Sequence, residues 1–143
     1  MATIAVADYV ILRRPPRCWH AIALFDHPAH VATAALVGGT DPLYLAGSLL
    51  PDVDHVPMAF RAPMPGDPRP NTHSVVVLAA AALVSRRLAA GMTAHFARDL
   101  ALDPGVPILW PLTREQFTMP YALYAGALMA AAVLRGRGGS AGR

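Results

Sequence analysis

The sequence predicts an all-α fold: a compact helical bundle with a metal site between its helices, embedded in a membrane or associated with one. Three observations lead there. Stretches rich in Ala, Val and Leu are punctuated by proline and glycine, with no strand-like alternation and no internal repeat. Histidine and aspartate recur at the edges of these stretches or inside them: His30; Asp52, Asp54 and His55; His73; His95 and Asp99. Burying an unpaired charged or strongly polar group costs several kcal/mol, and one divalent cation can partner several imidazoles and carboxylates at once. Finally, 55% of the residues are hydrophobic and 15% charged, against roughly 25% charged in an ordinary soluble domain. The mean hydropathy of +0.38 leans towards a membrane.

The chain of 143 residues is long enough for one domain. Every basic residue is an arginine, and these are scattered or terminal, so the net charge of +3 predicts no nucleic-acid partner. A lone cysteine, Cys18, excludes a disulfide framework and a thiolate-rich zinc site. Residues 1–25 read as a loosely attached leader: Asp8 interrupts the first apolar run, and Arg13, Arg14 and Arg17 follow it, the wrong order for a secretory signal. His27-Pro28-Ala29-His30 opens the first helix, with proline in its first turn and Gly38-Gly39 as its stop. Thr40-Asp41-Pro42 starts a second apolar segment, halted at Pro51. Residues 56–70 contain five prolines and Gly66 and form an irregular loop. Ser74 is the expected N-cap of a third helix over residues 75–100, in which Gly91 and Arg86-Arg87 mark a bend or break. A turn at residues 103–107 and a short apolar insertion, Ile108-Leu109-Trp110-Pro111, precede a last helix over residues 117–134. Residues 135–143 are expected to form a disordered basic tail.

The last helix carries the membrane expectation. Residues 117–134 are 18 consecutive uncharged residues, close to the roughly 20 that a bilayer core requires. Arg135 and Arg137 would lie on its cytoplasmic side.

The chemistry concentrates elsewhere. His95 and Asp99 are four apart on one helix face, the spacing by which helices present two ligands to one metal. Asp52 and Asp54 follow Pro51 where the chain turns, and carboxylates there can converge on a cation or bridge two. His55 adds an imidazole beside them. His73 and His30 stand at helix entrances. With several histidines, carboxylates and no thiolate, zinc or manganese is the expected occupant.

The order His30, Pro51-Asp52-Val53-Asp54-His55, Thr72-His73-Ser74, His95-x-x-x-Asp99 and Gly105-Val106-Pro107-Ile108-Leu109-Trp110-Pro111 resembles the YdjM-like family of membrane-bound metal-dependent hydrolases. The resemblance covers roughly residues 26–115. It implies a helical, inner-membrane protein, similar in motif style to zinc-dependent phospholipases C and single-strand nucleases. By matching positions it implies metal ligation by His30, Asp52, His73, His95 and Asp99. Asp54 and His55 become ligands or their hydrogen-bonding supports. The chain departs from the family where His-Arg-Gly-x-Thr-His-Ser is usual: Pro68 stands for the first His and Pro70 for the Gly. Pro68 has no side chain to ligate with, and Asp67 is the nearest substitute.

The expectation is thus a hydrolase domain over residues 26–134, in which a metal-activated water attacks a phosphodiester or ester of a small molecule or lipid. Asp54 is the expected general base, or orients a ligating imidazole. Membrane lipid is the expected partner. Two alternatives stand beside it. One is a catalytically inactive membrane protein with a structural metal; the other is a regulatory interaction module using Arg61, Arg69, Arg86, Arg87 and Arg98.

Overall fold

A computed structural model of the chain describes residue 20, residues 22–60 and residues 72–140. A π-helical turn, Ile22–Asp26, runs directly into helix α1, His27–Gly38. Helix α2, Pro42–Gly47, is followed by a 3-10 turn, Leu50–His55, and a short helix α3, Val56–Ala59. Helices α4, Val75–Val84, and α5, Arg86–Asp99, stand before a long loop, and α6, Tyr121–Ser140, closes the bundle. Among the described residues there is no strand, only one antiparallel bridge between Val106 and Phe117. The all-α expectation therefore holds.

Local chemistry explains the boundaries. Gly39 adopts a left-handed φ of 99° and its N–H donates to the Ala35 carbonyl at 3.2 Å, ending α1. The Asp41 carboxylate accepts from Tyr44 N–H at 3.1 Å and caps α2, with Pro42 in the first turn. Ser74 caps α4 by accepting from Val77 N–H. The segment over residues 75–100 breaks beside Arg86-Arg87, one of the two places expected. Ser85 is extended (φ −159°, ψ 123°); it terminates α4, and its hydroxyl accepts from Leu88 N–H to start α5. Gly91, expected to bend the chain, lies inside α5 for a different reason.

That reason is a close crossing. α5 is the central element, packed against α1, α2, α4 and the 3-10 turn. A Cβ on Gly91 would lie 1.9 Å from the Tyr44 carbonyl oxygen, and one on Gly47 would lie 2.1 Å from that of Leu88. The two helices meet backbone to backbone through these glycines. Ala81, Met92 and Phe96 form the apolar core between α4 and α5, with Leu50, Val77 and Leu88 packed around it. The loop after α5 fastens both ends of this pair. Val106 and Phe117 exchange hydrogen bonds, Met119 N–H donates to the Leu100 carbonyl, and Val75 N–H donates to the Ile108 carbonyl.

The expected membrane span does not survive. Among the described residues no helix is long and apolar enough to cross a membrane. Phe117 pairs with Val106, and α6 begins only after Pro120. Its apolar part, from Tyr121 to Leu134, is about 14 residues or about 21 Å, short of the roughly 30 Å of a hydrocarbon core. Tyr124, Leu128 and Ala132 bury one stripe of it, and Arg135 donates to the Ala35 carbonyl of α1. The membrane location that rested on this helix is corrected with it. Residues 135–140, expected in a disordered tail, continue α6. The boundary expected at residue 25 falls inside a continuous helical segment in which Ile22 and Asp26 are buried. Asp67, Pro68 and Cys18 lie outside the described residues.

Candidate metal centre

Three pieces of backbone deliver four donors to one point. The 3-10 turn supplies Asp52, the entrance to α4 supplies His73, and one face of α5 supplies His95 and Asp99. His95 Nε2 lies 3.2 Å from His73 Nε2, 3.2 Å from Asp99 Oδ2 and 3.6 Å from Asp52 Oδ1. His73 Nε2 lies 3.4 Å from Asp99 Oδ2 and 3.7 Å from Asp52 Oδ1. A tetrahedral ion with metal–nitrogen and metal–oxygen bonds of about 2.0–2.2 Å sets its donors about 3.3–3.6 Å apart. The five donor distances above, 3.2–3.7 Å, are close to those edges. All four residues are buried, His73 completely.

The surrounding groups orient the imidazoles. His95 Nδ1 is 2.7 Å from the Ser48 carbonyl oxygen. A carbonyl can only accept, so Nδ1 carries a proton and Nε2 is the nitrogen that faces the cage. The glycine contact between α2 and α5 is what brings Ser48 this close. His73 Nδ1 faces Asp54 Oδ2 at 3.6 Å and Thr72 Oγ1 at 3.3 Å. Thr72 in turn donates to the Pro51 carbonyl at 2.6 Å and touches Asp54 Oδ2, tying the 3-10 turn to the start of α4. His55 Nδ1 lies 3.2 Å from Asp52 Oδ1 and 3.1 Å from Asp54 Oδ1.

Electrostatics match this crowding. Burial pushes His73 down, but Asp52, Asp54 and Asp99 outweigh it and hold its pKa well above the usual imidazole value. Burial alone would raise Asp52; the facing imidazoles of His95, His55 and His73 hold it well below the usual carboxylate value. In His55 burial is again outweighed, here by Asp52 and Asp54, and the pKa rises. Buried atoms without a hydrogen-bond partner cluster here: Asp52 Oδ2, Asp54 Oδ1, His55 Nδ1 and His30 Nδ1.

His30 is one step away from the cage. Its ring stacks on His95 with centroids 3.6 Å apart and planes 8° from parallel. Its Nε2 is 3.4 Å from Asp99 Oδ1, but it accepts a hydrogen bond from Arg98 Nη1 at 2.8 Å. Burial, His95 and Arg98 together lower its pKa, so it is a neutral imidazole. Arg98 also pairs with Asp26 at 2.7 Å. Two further donor groups, His30 with His95 and Asp99 and His30 with Asp26 and Asp52, both include His30, whose Nε2 is engaged by Arg98.

The structure brings together Asp52, His73, His95 and Asp99, sets Asp54 and His55 directly behind them, and places His30 against Arg98. Sequence reasoning misses Asp26, His27, Ser48, Thr72 and Arg98. The i,i+4 spacing of Asp26 and His30 is a signal for the first. His27 Nε2 approaches Asp52 Oδ2 at 3.4 Å from the preceding turn, without a helical spacing to announce it. Arg98, counted in sequence among the contacts of an interaction module, is instead fully buried against Asp26 and His30. No family model, curated protein or solved structure matches the chain.

Proposed function

We propose that this chain is a metal-dependent hydrolase that holds a divalent cation, zinc first and manganese second, between Asp52, His73, His95 and Asp99. The observation that carries the reading is the cluster itself: two imidazole nitrogens and two carboxylate oxygens, buried, with five donor distances of 3.2–3.7 Å, close to those of one coordination shell. Nitrogen and oxygen donors without thiolate are typical of catalytic rather than structural zinc. When bound, the cation supplies Lewis acidity, acidifying a water and polarising a phosphoryl or acyl oxygen. The chain's own residues do the rest. Ser48 fixes the His95 tautomer, and Asp54 with Thr72 fixes His73. Asp54 Oδ1, without a hydrogen-bond partner and on a half-buried residue, is the carboxylate oxygen best placed to take a proton. The motif resemblance to YdjM-like hydrolases points to the same chemistry, with a phosphodiester or ester as substrate.

A structural cation is the second reading. It is favoured by the number of protein donors and by their burial, since a closed shell leaves no position for substrate. The two readings separate in one series of measurements. Elemental mass spectrometry of wild type, His95→Ala and Asp52→Ala gives metal per chain, with folding checked by circular dichroism. Metal-loaded wild type is then offered bis(p-nitrophenyl) phosphate and p-nitrophenyl acetate. The hydrolase reading expects stoichiometric metal in wild type, none in the variants, and metal-dependent turnover of one substrate class. Metal with a large stabilisation but no turnover favours the structural ion. No metal in wild type after reconstitution with zinc and manganese refutes both.

A further inference from the structure

We infer that the Arg98 guanidinium is a built-in second cation of this centre, and that the centre therefore holds one divalent ion and no more. The inference rests on the metal reading above and adds its stoichiometry.

The donors of Asp26, His30 and Asp52 lie within 4.8 Å of one another, as do those of Asp52, His73 and His95. By donor type and burial the first group is as suited to an ion as the second, and they share Asp52. In the first group, however, a permanent charge is already seated. Arg98 Nη1 is 2.7 Å from Asp26 Oδ1, 2.8 Å from His30 Nε2 and 3.9 Å from Asp99 Oδ1. A guanidinium only donates and does not lose its proton in proteins. The Nε2 lone pair of His30 is therefore engaged by Arg98, and the near oxygen of Asp26 is shared with the same nitrogen. Neither is left to face an ion.

Charge points the same way: Arg98 already places a permanent positive charge against Asp26, His30 and Asp99, and a divalent cation seated beside it would face that charge in a buried setting, which burial disfavours. The residue arises from helix geometry: α5 places Arg98 directly beside Asp99, with its head turned towards the start of α1.

A guanidinium that merely braces α1 against α5 would leave ion capacity unchanged when replaced; a guanidinium holding a cation position would not. Wild type, Arg98→Lys, Arg98→Leu and Arg98→Ala are loaded with excess zinc, and separately manganese. They are desalted and assayed for metal per chain by elemental mass spectrometry, with folding checked by circular dichroism. The expected result is one ion in wild type and in Arg98→Lys, and two in whichever of Arg98→Leu and Arg98→Ala folds. One ion in a folded Arg98→Leu or Arg98→Ala overturns the inference, as does a second ion in Arg98→Lys. Two ions in wild type overturn it without any variant, and do so while leaving the metal reading intact. No ion in wild type removes the metal reading and this inference together.

Discussion

Gly91→Ala tests the link between helix packing and the cage without touching any donor. The new Cβ would lie 1.9 Å from the Tyr44 carbonyl oxygen, 2.9 Å from Ser48 N and 3.0 Å from the Gly47 carbonyl carbon. All three are backbone atoms, so no side chain can swing aside. A carbon–oxygen contact needs about 3.3 Å, so α2 must move off α5 by roughly 1.4 Å. Ser48 moves with α2, and its 2.7 Å contact to His95 Nδ1 opens to roughly 4 Å, beyond hydrogen-bond range. Overpacking of this kind costs about 1–3 kcal/mol, which lowers the melting temperature of the metal-free protein by roughly 4–12 °C. Loss of a hydrogen bond that orients a ligating histidine weakens metal binding about 10–100-fold. Thermal melts in chelator and a competition titration with a zinc indicator read the two effects separately. A variant with unchanged melting and unchanged zinc affinity would refute both the crossing and the role given to Ser48.

Three further outcomes are expected. Asp54→Asn should weaken zinc binding about 10–100-fold in the same titration, through His73, where His95→Ala removes it; wild-type affinity would leave His73 without the support assigned here. Metal-free stability should depend on pH from both sides. His73 is held above its ordinary 6.5, so its contribution is complete below that value and is lost as pH rises through the raised one. Asp52 is held below its ordinary 3.8, so its contribution is present above that value and is lost as pH falls through the depressed one. A cation replaces the His73 proton, so the melting gap between zinc-loaded and chelated protein should widen as pH rises above the ordinary imidazole value; a flat gap contradicts the assignment. Asp41→Ala removes the α2 cap and should cost about 0.5–2 kcal/mol, read by thermal melts. Little of that comes from the Arg87 pair, because Arg87 is 69% exposed; Arg87→Ala alone should therefore leave the melt nearly unchanged.

The parts of the site legible in the sequence are those fixed by local geometry. The i,i+4 spacing of His95 and Asp99 survives into the structure because α5 is regular over both residues. Asp52 and His73 are legible as polar residues at helix ends, although nothing local says that the ends meet. What stays hidden depends on backbone or on distant contacts. Ser48 acts through its carbonyl, which any residue possesses. Gly91 reads as a bend because helix propensity penalises it, whereas close approach of α2 is what retains it. The break beside Arg86-Arg87 is legible, but not that the Ser85 hydroxyl caps the new helix. The apparent membrane span joins Phe117 to Leu134 across Pro120, and composition alone does not register that break.

The cage poses a question of hydrogen supply. Without an ion, the contacts converging between Asp52, His73, His95 and Asp99 would have to be hydrogen bonds. A neutral His95, the form that ligation requires, commits its one ring proton to Ser48 and has only a lone pair at Nε2. Asp52, when ionised, offers only acceptors, and its depressed pKa keeps it so near neutrality. His73, held protonated, brings one hydrogen at Nε2, for which His95 Nε2 at 3.2 Å and Asp99 Oδ2 at 3.4 Å compete. One proton cannot serve every acceptor, and contacts of 3.4–3.7 Å are longer than the 2.7–3.2 Å of good hydrogen bonds. As coordination edges the same distances are ordinary. The His73 proton thus reads as the metal-free stand-in for the cation, and displacing it couples metal affinity to pH.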